Sequence, residues 1–169
     1  MLDRIFIILY PTFPIGIIVI GAQMKITYKD DYALKAILDL ALHYNVELVT
    51  TQDMAKRIDA PSKFLEQVLL ELKKGGLIES RRGNIGGYKL SKAPGRITVG
   101  DVVRLIDGDI GPISCVKDRY SNCAEIHRCV FKGIWQRVSH ATSEIIDNVT
   151  FEELASQIKA GQEELDYNI

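Results

Sequence analysis

Apolar positions recur at helical spacing along most of this chain, and the breaks between them mark its elements. From Asp31 to Tyr44, the residues Tyr32, Ala33, Ala36, Ile37, Leu40, Ala41 and Tyr44 share one face, with Lys35 and Asp39 on the other, which predicts a first helix. Thr50-Thr51-Gln52-Asp53 supplies an N-cap with an acidic residue three places on, and Met54, Ala55 and Ile58 give a short second helix. Asp59-Ala60 reads as a turn. Pro61 is tolerated in a first helical turn, and Phe64, Leu65, Val68, Leu69 and Leu72 form an apolar face that Gly75-Gly76 ends. Two short helices around a tight turn predict a helix-turn-helix, although a helical hairpin with no DNA-binding role carries the same pattern.

Beyond it, Leu77-Ile78-Glu79-Ser80-Arg81-Arg82 and Tyr88-Lys89-Leu90 read as two strands around Gly83-Asn84-Ile85-Gly86-Gly87, a hairpin whose tip can take positive φ. No Lys-Ser or Lys-Thr follows these glycines, and strand lies on both sides instead of strand then helix, so a phosphate-cradling nucleotide loop is excluded. After a loop from Ser91 to Arg96, Thr98-Val99-Gly100-Asp101 caps a helix carrying Val102, Val103, Leu105 and Ile106, which Gly108 and Gly111-Pro112 stop. From Val130 to Val149, Phe131, Ile134, Val138, Ala141, Ile145 and Val149 form one stripe with Trp135 beside it. That helix suits pairing between two subunits, and packing on its own domain is the alternative. Thr150-Phe151-Glu152-Glu153 caps a last short helix, and the acidic end from Gly161 is expected to be mobile. The expected fold class is mainly α with a small β-wing: a winged helix-turn-helix plus a long C-terminal dimerisation helix.

Composition changes this picture in three places. The 169 residues are 47% hydrophobic and 25% charged, which excludes wholesale disorder and a coiled-coil-only chain. The net charge of -1 hides an asymmetry: Gln52 to Lys92 holds nine Lys/Arg against five Asp/Glu, and Ser143 to Ile169 one Lys against seven. A local basic excess can meet phosphate. Ile5 to Ala22 is eighteen residues without a charge, long enough for a membrane span. Pro11 and Pro14 would kink such a helix, and Asp3 and Arg4 cancel where a signal peptide needs positive charge. Met24 offers a second start directly before the first amphipathic helix, so residues 1 to 23 are read as preceding the true start, with a membrane anchor as the alternative.

Two groups of side chains carry candidate chemistry. The second helix of such a motif enters the major groove by its N-terminal end, where Ser62, Lys63, Phe64, Glu66 and Gln67 would approach bases. Glu can accept from the cytosine amino group and Gln can pair with adenine; Lys63, Arg81, Arg82 and Lys89 suit phosphates, with Asn84 at the hairpin tip. Arg82 could instead enter a narrow minor groove. The second group is Cys115, Cys123 and Cys129, the chain's three cysteines. An odd number at this spacing does not suit a disulfide framework, which points to a reducing cytoplasm. Thiolates suit iron-sulfur clusters, zinc or cuprous copper. Zinc modules bring ligands in close pairs, whereas the gaps here are seven and five residues. Three thiolates leave a fourth position open; His127, Asp118, Glu125, Lys132, Asp30 and Asp31 are candidates, His127 first on bare chemistry.

Met24-Lys25-Ile26-Thr27, Tyr32-Ala33-Leu34, Phe64-Leu65-Glu66-Gln67, Gly75-Gly76-Leu77-Ile78, Arg82-Gly83, Gly86-Gly87-Tyr88 and the three cysteines together resemble the Rrf-type family of bacterial winged-helix regulators, from Met24 to about Ile158. The resemblance implies a homodimer on a palindromic double-stranded DNA operator, not an enzyme, with no membrane partner. It also implies an iron-sulfur cluster, [2Fe-2S] or [4Fe-4S], held by Cys115, Cys123 and Cys129, whose state sets DNA affinity in response to redox state, nitric oxide or iron supply. The iron-sulfur biogenesis type places a histidine where this chain has Lys132, so that ligand does not carry over. In the nitric-oxide-sensing type an acidic residue of the other subunit completes the site, and Asp31 stands at the matching place, ahead of His127. Seven residues between Cys115 and Cys123 exceed the family's usual gap. Glu66 matches the position that discriminates operator classes, and Arg82 the wing arginine. The expected organisation is an apolar extension (1–23), a DNA-binding domain (24–96), a cluster loop with dimerisation helices (97–160) and an acidic tail (161–169). A cluster-free regulator of cysteine metabolism, controlled by its thiols or a partner enzyme, is the runner-up; an iron-sulfur electron carrier is the reading outside DNA binding.

Overall fold

The computed structural model describes residues 27–46, 48–81, 83, 86–116, 123 and 128–167. Six helices and one hairpin follow in the order α1 (Tyr28–Leu42), α2 (Thr51–Arg57), α3 (Ser62–Lys74), β1 (Ile78–Arg81), β2 (Gly87–Leu90), α4 (Val99–Asp107), α5 (Lys132–Asp147) and α6 (Phe151–Tyr167). Short 3-10 turns at Pro94–Arg96 and Ser114–Val116 were not foreseen. The mainly α architecture with a small wing is the one the periodicity predicts.

Helix starts follow side-chain caps. Thr27 accepts from the Asp30 backbone N–H and Asp30 accepts from that of Thr27, a capping box that opens α1 three residues before the expected start at Asp31. The helix also ends earlier than Tyr44, in a turn where Asn45 takes φ +63°. The Thr98–Asp101 box opens α4, and Thr150 with Glu153 makes the same reciprocal pair before α6. At the other end of α3, Gly76 sits at φ +73° while Leu77 N–H reaches Leu72 C=O and Gly76 N–H reaches Lys73 C=O. This doubly bonded stop needs a residue free to turn left-handed, and glycine meets that at least cost.

The core joins every helix except α5. Ala33, Ile37 and Leu40 of α1, Leu65, Leu69 and Leu72 of α3, Ile78 and Leu90 of the hairpin, Val102 of α4 and Phe151 of α6 belong to one buried cluster. Each of the larger apolar side chains among them contributes about 1.5–3 kcal/mol by leaving water. The cluster crosses residue 96, so the start of α6 seals the same core as the helix-turn-helix. The hairpin is antiparallel with Ile78 opposite Leu90 and Arg81 opposite Gly87, and Val49 bridges to Tyr88, tying the wing to the segment ahead of α2.

Two expectations need correction. Asp39 does not lie on an open polar face: it is 5% exposed and accepts from Arg57 Nε at 2.7 Å and Nη2 at 2.9 Å. Burial of a carboxylate is tolerable when a forked cation satisfies both oxygens, and Arg57 on α2 supplies one. The last helix is not short; its backbone runs through Gly161 to Tyr167, seventeen residues in all. A single glycine costs a helix only about 1 kcal/mol, and Glu163 and Glu164 beyond it are good helix formers. Among the described residues no helix is long and apolar enough to cross a membrane, and the apolar run Ile5 to Ala22 lies outside them.

Candidate functional site

The first turn of α3 faces outward. Ser62, Lys63, Glu66 and Gln67 are all exposed, because Leu65, Val68, Leu69 and Leu72 claim the opposite side for the core. Phe64 differs: it is half-buried, with its ring 5.6 Å from that of Tyr32 in an edge-to-face arrangement, so it holds α3 against α1. Between α2, α3 and the wing lies an open cleft of about 720 Å³, walled by Thr51, Gln52, Glu66, Leu70, Lys73 and Arg81 among others. Leu70 and Lys73 extend the row that begins at Glu66 by one and two turns. Sequence reasoning stopped at Gln67, although the spacing of four and three residues already put all three on one face.

The basic side chains around this cleft are differently engaged. Arg81 stands exposed at the end of β1. Lys73 Nζ donates to Ser80 Oγ at 2.6 Å, linking α3 to the wing, and Lys89 lies 3.4 Å from its cross-strand partner Glu79 with both side chains more than half exposed. Exposed pairs of that kind contribute roughly 0–1 kcal/mol, so Lys89 can exchange Glu79 for a phosphate at little cost. Arg82 and Asn84 lie outside the described residues.

The cysteines sit between α4 and α5. Cys115 is in the 3-10 turn Ser114–Val116 and Cys129 directly precedes α5, where its C=O accepts from Lys132 N–H at 3.3 Å. All three cysteines are free thiols and half-buried. Their soft donor atoms suit an iron-sulfur cluster, and partial burial protects such a group while leaving it reachable. Among the described residues no three His, Cys, Asp or Glu side chains converge as a metal-holding group. The donor set therefore fits a cluster chemically.

Of the candidate fourth ligands, Asp30 is 1% exposed and committed to the α1 cap, with its Oδ1 left unpaired. Asp31 points outward with a side chain 43% exposed and accepts from Lys35 Nζ at 2.7 Å. That hydrogen bond raises the Lys35 pKa. Lys132 opens α5 and is half-buried; His127 lies outside the described residues.

A short helix pair with an outward-facing second helix, flanked by a hairpin and a basic-rimmed cleft, defines a winged helix-turn-helix DNA-binding protein. The comparisons narrow the class. Residues 26–157 match the model of Rrf2, described as an iron-dependent transcriptional regulator, and the chain belongs to this family. It is similar to an rrf2-like HTH-type transcriptional regulator of Rhodobacter capsulatus, 37% identical over 136 residues, 76% of this chain and 91% of that one. It is 35% identical over 133 residues to the HTH-type transcriptional regulator IscR of Erwinia tasmaniensis, 79% of each chain. The solved structure of CymR, the global cysteine regulator of B. subtilis, superposes with a TM-score of 0.65 at 31% identity, covering 79% of this chain and 97% of that one. These relatives are transcription regulators and not enzymes, and so is this chain.

Proposed function

We propose that this chain is a homodimeric regulator whose grip on a palindromic DNA operator depends on an iron-sulfur cluster held by Cys115, Cys123 and Cys129. One observation carries the reading: three free, half-buried thiols lie in the segment that leads into a helix whose apolar stripe is exposed. Val130, Phe131, Ile134, Val138 and Ile145 are exposed in and beside α5, and none of the helix's residues is buried. A stripe of that length is what two copies bury against each other.

The roles divide by chemistry. Ser62, Lys63, Glu66 and Gln67 approach base edges, with Glu66 suited to a cytosine amino group, while Arg81, Lys89 and Arg82 take phosphates or the minor groove. The partner subunit's Asp31 supplies the fourth ligand, with His127 as the alternative; its exposure lets a second subunit reach it, and Lys35 competes for the same oxygen. When bound, the cluster would supply iron that reacts with oxidants or nitric oxide. A carboxylate is a weaker partner for iron than thiolate, so Asp31 would be the least firmly bound of the four ligands. Asp31 lies on α1, and Phe64 of the reading helix packs on Tyr32 next to it, which couples the ligand to the DNA-contacting face.

Anaerobic purification with iron and sulfide analysis tests the reading. A coloured protein with iron and sulfide in near-equal amounts supports it; a colourless, metal-poor protein contradicts it. The second reading is a cluster-free regulator that uses its thiols directly. It is favoured by the likeness to CymR. Colourless protein whose DNA binding changes on thiol oxidation would select it.

A further inference from the structure

Nothing in the core fixes the direction of α5, since no residue of that helix is buried in its own chain. Trp135 and Ile146 are half-buried, Val99 N–H donates to Val149 C=O at 3.0 Å just past its end, and the side-chain bonds that hold it are polar. Arg104 of α4 spans the gap with both ends of its guanidinium: Nη1 and Nη2 donate to the two carboxylate oxygens of Asp147, the latter at 2.9 Å, and Nη2 also reaches Ser143 Oγ at 3.2 Å. One planar fork thus holds two positions a helical turn apart, which fixes rotation as well as distance. The hydrogen bond with Asp147 raises the Arg104 pKa and lowers that of Asp147, so both stay charged across neutral pH. Asp101 and Asp109 add attraction for the guanidinium. Gly100 lies beneath the pair, and a Cβ there would collide with Asp147 Oδ1 and Arg104 Nη1. A second tether, Ser139 Oγ to Ile110 C=O at 2.6 Å, sits further along the helix.

We propose that Arg104, held over Gly100 and forked onto Asp147 and Ser143, is the positioning residue that sets the angle of α5 and thereby the operator half-site spacing this dimer accepts. The inference rests on the homodimer reading above. A sixteen-residue helix is about 24 Å long, so a tilt of about 10° at its base moves the far end by about 4 Å. That exceeds the roughly 3.4 Å between neighbouring base pairs, so a loosened base costs spacing discrimination before it costs affinity for a single half-site. Base-reading residues on α3 are untouched by the change, which separates spacing from sequence preference.

The test uses full-length protein prepared without oxygen and duplexes selected from random DNA by the wild type. The half-sites so found are then rebuilt with spacers shortened or lengthened by single base pairs. The wild type is expected to prefer one spacer by about tenfold or more, the size of a typical site mismatch. Arg104→Gln and Asp147→Asn should flatten that preference to within about threefold while binding to an isolated half-site and the sedimentation of the dimer stay unchanged. The charge-swapped double variant Arg104→Asp, Asp147→Arg should recover part of the discrimination. The pair is more than a third exposed, so these variants should fold; Ser143→Ala, which removes one neutral hydrogen bond, gives a milder flattening should either fail. Variants that keep the wild-type spacer preference overturn the proposal. If the wild type selects no two-fold symmetric DNA, the homodimer reading itself has failed, and the positioning role with it.

Discussion

Helices α3 and α5 carry the same kind of sequence pattern and meet opposite fates. In α3, Leu65, Val68, Leu69 and Leu72 are fully buried against α1, the hairpin and α4. In α5 no position is buried, and Ile145 keeps 67% of its surface. Periodicity tells which face of a helix needs covering and is silent about what covers it. The first helix finds its cover within the chain and leaves Ser62, Lys63, Glu66 and Gln67 facing outward. The second is held by an arginine fork at its base, with its apolar side free for another molecule.

The sharpest way to break the contrast is to hollow the covered helix. Leu69→Ala should lower unfolding stability by about 2–5 kcal/mol in a denaturant titration, since its neighbours are close-packed on every side. Removing apolar surface from α5 should act on assembly instead. The pair Phe131→Ser and Ile134→Ser should weaken self-association by about a hundredfold in sedimentation experiments while helical content and half-site binding persist. Asp39→Asn tests whether the covered region also depends on its polar pair. It should cost about 1–3 kcal/mol, because Arg57 keeps its donors and loses the charged acceptor. Thr27→Ala, at the α1 cap, should cost about 1 kcal/mol in the same titration.

The helix-turn-helix was legible because its signals are local. A cap at Thr50, a turn at Asp59-Ala60, a glycine stop at Gly76 and an apolar face of five residues each announce themselves within a few positions. What sequence reasoning missed depends on distant partners. Asp39 looked solvated because Arg57, eighteen residues on, shows no relation to it along the chain. The Arg104 fork spans forty-three residues and was invisible for the same reason. The Thr27–Asp30 box is local and readable, but a start set at Asp31, one residue before the first apolar position of the face, passes over it. The thiols were legible as a donor set, whereas how close they come in space depends on the conformation of the loop between them, which local sequence does not announce.

The most direct test of the central claim is DNA affinity measured on one anaerobic preparation before and after iron removal, beside a variant with Cys115, Cys123 and Cys129 all replaced by serine. Cluster-dependent regulation predicts that stripping shifts operator affinity by about tenfold or more, a change of about 1.4 kcal/mol, and that the serine variant behaves like the stripped protein throughout. Identical affinities in all three samples would contradict it.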